Sequence, residues 1–258
     1  HAAGGIPAVM KRLETVLDLD ALAGDGRKWH EVLSSVDVRE ADVIPPLTAP
    51  VVDRSLVVLR GNLVPRGAIL KVSAASPHLL RHTGRALVFD SYEDMLRRID
   101  DPSLDVSADS VLILRNCGPQ GAPGMPEWGS IPVPARLAKQ GVRDIVRISD
   151  ARISGTSYGT IVVHACPEAA AGGPLSLVRN GDEILLDVAE RKLELLVSEA
   201  EIKSRFGKLQ PHQSAHLRGY PRLFIDHVLQ ADQGCDFDVL RPRTADEVPF
   251  VPPVVGRS

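Results

Sequence analysis

The chain has 258 residues, 44% of them hydrophobic and 24% charged, with a formal net charge of −3. These values fit a globular protein with its own core, and the weak acidic balance without a long basic run argues against a nucleic-acid partner. No apolar stretch approaches the roughly 20 residues a membrane helix needs, and no secretory leader is visible.

At 4% aromatic residues, the core has to be built from Leu, Val, Ile and Ala. The three cysteines, Cys117, Cys166 and Cys235, are far apart and form no Cys-x-x-Cys pair. Such spacing signals neither zinc nor a disulfide framework, and it reads as reduced, mostly buried thiols of a cytoplasmic protein. The first residue is His1 rather than Met, which reads as a piece of a longer chain.

In chain order, Ile6 to Leu17 carries Ile6, Val9, Met10, Leu13, Val16 and Leu17 at helical spacing, with Pro7 suited to a first turn. A second short helix is expected over 27–36, with Trp29, Leu33 and Val36 inward. Val43-Ile-Pro-Pro-Leu-Thr-Ala-Pro50 is a proline-rich connector and the candidate domain boundary.

Short β-rich runs follow at 55–60, 68–72, 85–89 and 111–114, separated by Gly and Pro signals. Ser91 is placed to cap a helix over 91–99 whose first turn is acidic. A helix over 134–140 stops at Gly141. Asp144 to Ile148 and Thr160 to His164 read as strands on either side of a polar, glycine-flanked turn with Ser154 at its apex. Runs at 183–187 and 192–197 look like a hairpin, and Ser198/Glu201 forms a capping-box pattern before a helix to Phe206. A helix is expected from Pro221 to about Ala231, with Gly234 as a stop, and the proline-rich 248–255 segment reads as extended. Many short strands with interspersed helices predict an α+β fold, a mixed barrel or sandwich with helices on its flank.

A rigid strand–turn–strand that exposes the Ser154 hydroxyl suits catalysis. Gly155 and Gly159 would allow a tight turn and close approach of a ligand. From the residues alone, though, a Ser-Gly-Thr turn that is only a turn remains open. So does a solvated surface role for Glu127 beside Trp128, and an ordinary turn role for Asn62. Arg152 could pair with Asp150 or reach a substrate carboxylate, the structural pairing being preferred, and His164, in mid-strand, is read as a satisfied core histidine. Gly118-x-x-Gly121-x-x-Gly124 lacks the Lys-Ser/Thr that a phosphate loop needs.

Longer motifs carry a resemblance. Arg60-Gly-Asn-Leu63, Gly118-Pro-Gln-Gly-Ala-Pro-Gly-Met-Pro-Glu-Trp-Gly129, Ser149-Asp-Ala-Arg-Ile-Ser-Gly-Thr-Ser-Tyr-Gly159 and His164-Ala-Cys-Pro-Glu-Ala-Ala-Ala-Gly-Gly-Pro174 stand in this order. Together they resemble the C-terminal half of the IlvD/Edd family of iron–sulfur dehydratases. Arg115-Asn116, Pro126-Glu-Trp-Gly129 and the stretch from Arg218 to Asp238 resemble its sugar-acid branch most. The chain ends Pro252-Pro-Val-Val-Gly-Arg-Ser258, where that branch often ends in histidine.

The resemblance implies a swivelling β/β/α barrel over 55–258, a linker over 43–54, and in 1–42 the last helices of an N-terminal domain. It implies a hydro-lyase giving a 2-keto-3-deoxy acid, with Ser154 as base and Thr156 hydrogen-bonded to the substrate or to the serine oxygen. Glu127 becomes a Mg2+ ligand and Asn62 a residue lining the site. The iron–sulfur cluster, expected as 2Fe-2S, and the other Mg2+ ligands would lie in the N-terminal half, with no cluster ligand here. A homodimer or homotetramer is expected. The alternatives are a dihydroxy-acid dehydratase of branched-chain substrates, or a lone C-terminal domain that does not catalyse.

Overall fold

The computed structural model describes residues 1–52 and 54–241, and the proline-rich 248–255 segment and the chain end lie outside them. The chain divides into two compact units, His1–Ser55 and Leu56 onward. The first holds helix α1 (Gly5–Arg12), a 3-10 turn (Glu14–Val16) and helix α2 (Trp29–Leu33). Ala3, Ala8 and Leu33 are buried in it, while Ile6 and Val16, expected inward, are about 70% exposed. A unit this small has too little chain to bury a whole apolar stripe by itself.

The second unit is built on eight strands: β1 (Leu56–Leu59), β2 (Gly67–Lys71), β3 (Arg81–Phe89), β4 (Val111–Leu114), β5 (Val146–Ser149), β6 (Ile161–Cys166), β7 (Glu183–Asp187) and β8 (Lys192–Leu195). They form one sheet in the order β1-β2-β6-β5-β4-β3-β7-β8. The centre, β3-β4-β5-β6, is parallel, and antiparallel pairs flank it on both sides. A bridge between Arg60 and Lys192 joins the two edges: the Arg60 N–H donates to the Arg191 carbonyl and the Leu193 N–H to the Arg60 carbonyl, both at 2.9 Å. The sheet is thereby nearly closed, an α+β barrel-like domain that hides its edges from other chains.

Alternation along the strands sorts the core. Val111 and Ile113 of β4 face the barrel interior with Val146, Ile148 and Val162. Leu112 and Leu114 face the opposite way, packing with Met95 and Ile99 of the α3 region and Leu137 of α4. Helix α3 (Tyr92–Arg98) starts where the sequence predicts, with Ser91 Oγ accepting from the Asp94 N–H at 3.1 Å. Helix α4 spans Ala135–Lys139. Helix α5 (Glu199–Phe206) is capped by Ser198, whose hydroxyl accepts from the Glu201 N–H.

The last helix departs from expectation. α6 spans Gly219–His227 and stops there, because Val228 leaves it to pair with Phe237. A separate 3-10 turn (Ala231–Gln233) then ends at Gly234 in the left-handed conformation. Among the described residues no helix is long and apolar enough to cross a membrane.

Candidate active site

Parallel strands gather their C-terminal ends on one rim, and the loops that follow them are free to carry ligands. Here β4 feeds the loop 115–130 and its neighbour β5 feeds the turn 150–160, so Glu127 and Ser154 leave adjacent strands. Two buried carboxylates hold these loops. Asp150 accepts from the main-chain N–H groups of Asn116 (3.1 Å), Cys117 (2.9 Å) and Ala169 (2.9 Å). Glu168 accepts from Gln120 N–H (2.9 Å) and Gly121 N–H (3.0 Å), and from the Gln230 amide at 2.6 Å. Burial, reinforced by the Glu168 charge, pushes the Asp150 carboxyl up to about 7 despite those hydrogen bonds. Glu168 is also raised, mainly by burial.

Arg152, expected to pair with Asp150, does not. Asp150 is wholly committed to backbone, and the Arg152 guanidinium turns to Glu127 Oε1 at 2.9 Å and to the Met125 carbonyl. The Gly129 N–H donates to the Arg152 carbonyl at 2.9 Å, and a side chain at Gly129 would collide with that carbonyl and with Ile153. The Glu127 loop and the serine turn are therefore cross-linked by both backbone and side chain.

Beneath the turn lies a second buried network. Asp144 Oδ1 accepts from Arg147 Nη2 at 2.7 Å, and the same carboxylate takes the N–H and hydroxyl of Thr160 and the N–H of Ser76. Burial alone would raise the Asp144 carboxyl, but the Thr160 and Ser76 bonds and the Arg147 charge outweigh it and hold it low. Arg147 also donates to the Ile131 and Ile145 carbonyls, so this buried pair is fully satisfied. Gly159, at φ +109, lies flat against it: a Cβ there would sit 1.9 Å from Arg147 Nη2. At Gly155 a Cβ would meet open space and φ is ordinary, so of the two glycines only Gly159 is demanded by the backbone.

On this base Ser154 Oγ lies 3.0 Å from Thr156 Oγ1 and accepts, at 3.4 Å, from the Thr156 N–H. The Ser157 N–H donates to the Ser154 carbonyl at 3.0 Å, and Lys71 Nζ donates to the Gly155 carbonyl at 2.6 Å. The turn is thus held from β2 as well. Ser154 is partly exposed and Thr156 exposed, so both hydroxyls can meet a ligand.

Asn62 is placed otherwise. Its amide donates to the Leu195 carbonyl at 2.9 Å and accepts from the Leu195 N–H at 2.7 Å, clamping β8. His164 is not a satisfied core histidine: Nδ1 is buried without a partner, and the residue takes φ +56.

Glu127 is half exposed and presents one hard-oxygen donor group of the kind Mg2+ takes. Among the described residues no group of three or more His, Cys, Asp or Glu side chains is arranged to hold a metal ion. The three free thiols, Cys117, Cys166 and Cys235, belong to no such group. Burial pushes Cys117 and Cys235 up, and Cys166 up to about 11. The carboxylates that clamp the two loops escaped the sequence reading. Asp150 lies inside a quoted motif, but nothing in its spacing separates a backbone clamp from an Arg152 partner.

The Ser154–Thr156 hydroxyl pair and Glu127 thus stand on neighbouring loops at the C-terminal rim of a parallel sheet. Residues 42–235 match the dihydroxy-acid/6-phosphogluconate dehydratase C-terminal family, and the chain belongs to that family. It is similar to the 6-deoxy-6-sulfo-D-gluconate dehydratase of Pseudomonas putida, at 50% identity over 98% of this chain and 44% of that protein. The L-arabonate dehydratase of Azospirillum brasilense is 49% identical over 96% of the chain and 44% of its own length. The dihydroxy-acid dehydratase of Ignicoccus hospitalis is 37% identical over 90% and 42%. The chain spans less than half the length of these relatives.

Proposed function

We propose that the whole protein is a hydro-lyase that dehydrates a sugar acid to a 2-keto-3-deoxy acid, with Ser154 as the base. The observation that carries this reading is the Ser154–Thr156 hydroxyl pair on a turn cross-linked, through Arg152, to Glu127. The sugar-acid names of the relatives near 50% identity support the substrate class over the branched dihydroxy acids.

In the reaction the C2–H bond breaks as the ionised Ser154 oxygen takes the proton, and the electron pair of that bond forms the C2–C3 double bond. The C3 hydroxyl leaves as hydroxide and takes a proton from solvent to become water, and Ser154 later releases its own proton to solvent. The resulting enol becomes the 2-keto acid by taking a proton at C3. Thr156 bonds the serine oxygen, which orients it and stabilises negative charge there. A divalent cation such as Mg2+, with Glu127 as one ligand, would neutralise the carboxylate as C2 gains charge. Arg152 holds Glu127 in place until then. The iron–sulfur cluster is assigned to the N-terminal half with the remaining metal ligands. The same reading includes a cytoplasmic homo-oligomer, a dimer or tetramer.

The test is keto-acid formation by the full-length protein from arabinonate, xylonate and gluconate, beside 2,3-dihydroxyisovalerate. Turnover of sugar acids alone supports the reading. Turnover of dihydroxyisovalerate alone refutes it in favour of a dihydroxy-acid dehydratase. Residues 1–258 by themselves are expected to be colourless and inactive.

A further inference from the structure

Residues 228–237 form a small hairpin, closed by the antiparallel bridge between Val228 and Phe237 and by the Leu229 N–H donating to the Asp236 carbonyl at 2.8 Å. Two side chains fasten it to the barrel. On its outer side Asp232 receives the Arg66 guanidinium at 2.7 and 2.5 Å and the Cys166 thiol at 3.1 Å. On its inner side Gln230, 7% exposed, meets Glu168 twice. Gln230 Oε1 accepts from the Glu168 main-chain N–H at 2.9 Å, and Gln230 Nε2 donates to the Glu168 carboxylate at 2.6 Å. The main-chain N–H fixes which way the amide points, because only the amide oxygen can accept there.

The Glu127 loop is wrapped around that carboxylate. The Gln120 and Gly121 N–H groups donate to it, and a Cβ on Gly118 would sit 2.6 Å from Glu168 Oε2. All three partners are donors, and a protonated Glu168 would turn its own O–H onto one of them. Burial works against the ionised form. Asp150, Cys117, Cys235 and His212 are the titratable groups that interact with its charge. None of the four donates a hydrogen bond to it, and among the described residues Gln230 is its one side-chain donor. Further along, the Gly129 N–H is held by the Arg152 carbonyl. The stretch that carries Glu127 is therefore fixed at both ends, by Glu168 and by the serine turn.

We propose that Gln230 is a positioning residue for the Glu127 loop: by holding the Glu168 carboxylate on the Gln120 and Gly121 N–H groups, it lets the 228–237 hairpin set where Glu127 stands. The proposal rests on the sugar-acid reading, in which Glu127 is a cation ligand.

Amide hydrogen exchange over residues 118–129 and the Mg2+ concentration at half-maximal activity, both in the full-length protein, test it. Gln230→Met keeps the length of the side chain and removes both bonds. It is expected to speed that exchange and raise the Mg2+ requirement by about tenfold each, the weight of one hydrogen bond to a charged group, with kcat at saturating Mg2+ unchanged. Asp232→Ala loosens the same hairpin without touching Glu168 and should leave both readings at wild-type values. Gln230→Glu is the rescue: protonated, its carboxyl accepts and donates as the amide does, whereas ionised it faces Glu168 as a like charge. It should match wild type at about pH 6 and Gln230→Met at about pH 8.

Unchanged exchange in Gln230→Met, equal effects in Asp232→Ala, or a Gln230→Glu variant indifferent to pH overturns the positioning role and leaves the sugar-acid reading intact. So does an unaltered Mg2+ requirement in Gln230→Met when Glu127→Gln raises it. An unaltered requirement in both variants overturns the metal role of Glu127 and the proposal with it.

Discussion

Substituting Gly159 by alanine strikes the support of the serine turn without touching Ser154. The new Cβ would lie 1.9 Å from Arg147 Nη2 and 2.6 Å from Asp144 Oδ1, so the buried pair has to separate or the turn has to move. Breaking a buried pair costs about 3–5 kcal/mol, and holding a non-glycine residue at φ +109 adds about 1–3 kcal/mol. The sum is about 4 kcal/mol or more, a large share of the 5–15 kcal/mol typical of a domain. At about 2–4 °C per kcal/mol for a unit of this size, Tm should fall by roughly 10 °C. Calorimetry of the full-length protein reads it, with Gly155→Ala as the control, expected within about 0.5 kcal/mol of wild type. A Gly159→Ala protein melting within about 2 °C of wild type would refute the reasoning, because the turn would then have room that the structure denies it.

Three further outcomes follow from the same geometry. The Asp150 carboxyl is raised from 3.8 to about 7, so between those values the native state keeps a proton that the unfolded chain has lost. Its contribution to stability is present below about pH 4 and declines as pH rises towards 7. Urea unfolding across that range should show a shallower decline in Asp150→Asn, and an equal slope would acquit this residue. Asn62→Ala should cost about 1–2 kcal/mol through the two lost bonds to Leu195 while kcat/KM holds; a kinetic loss without a stability loss would return Asn62 to the active site. Glu127→Gln should change stability by less than about 0.5 kcal/mol, since its ion pair is half exposed. It should also raise the Mg2+ concentration needed for half-maximal activity, and an unaltered requirement would remove Glu127 from the metal site.

Most strands were legible because their signal is local. Val111–Leu114 and Glu183–Asp187 fall where the apolar runs put them, and Ser91 and Ser198 cap the helices they were expected to cap. What periodicity could not supply was long-range. The parallel centre and the edge-closing bridge at Arg60 depend on pairings between residues far apart in sequence. α6 is shorter than its apolar pattern because Phe237, nine residues beyond Val228, captures the strand-like segment. The same limit applies at the site. The Ser154 turn and the Glu127 loop stood out as motifs, whereas Asp150 and Glu168 act by receiving backbone N–H groups from loops 19 to 48 residues away. Nothing in a sequence distinguishes such a buried clamp from a partner for the nearest arginine. The register shift between β2 and β6 beside His164 is visible only when the two strands are paired.

The most direct test compares wild type with Ser154→Ala in the full-length protein, measuring keto-acid release from a sugar acid together with visible absorbance and metal content. Loss of about three orders of magnitude or more in kcat, with absorbance and metal content retained, is the predicted result. A variant that dehydrates sugar acids at near wild-type rates would contradict the account at its centre, since the hydroxyl around which the two loops are built would then have no part in the chemistry.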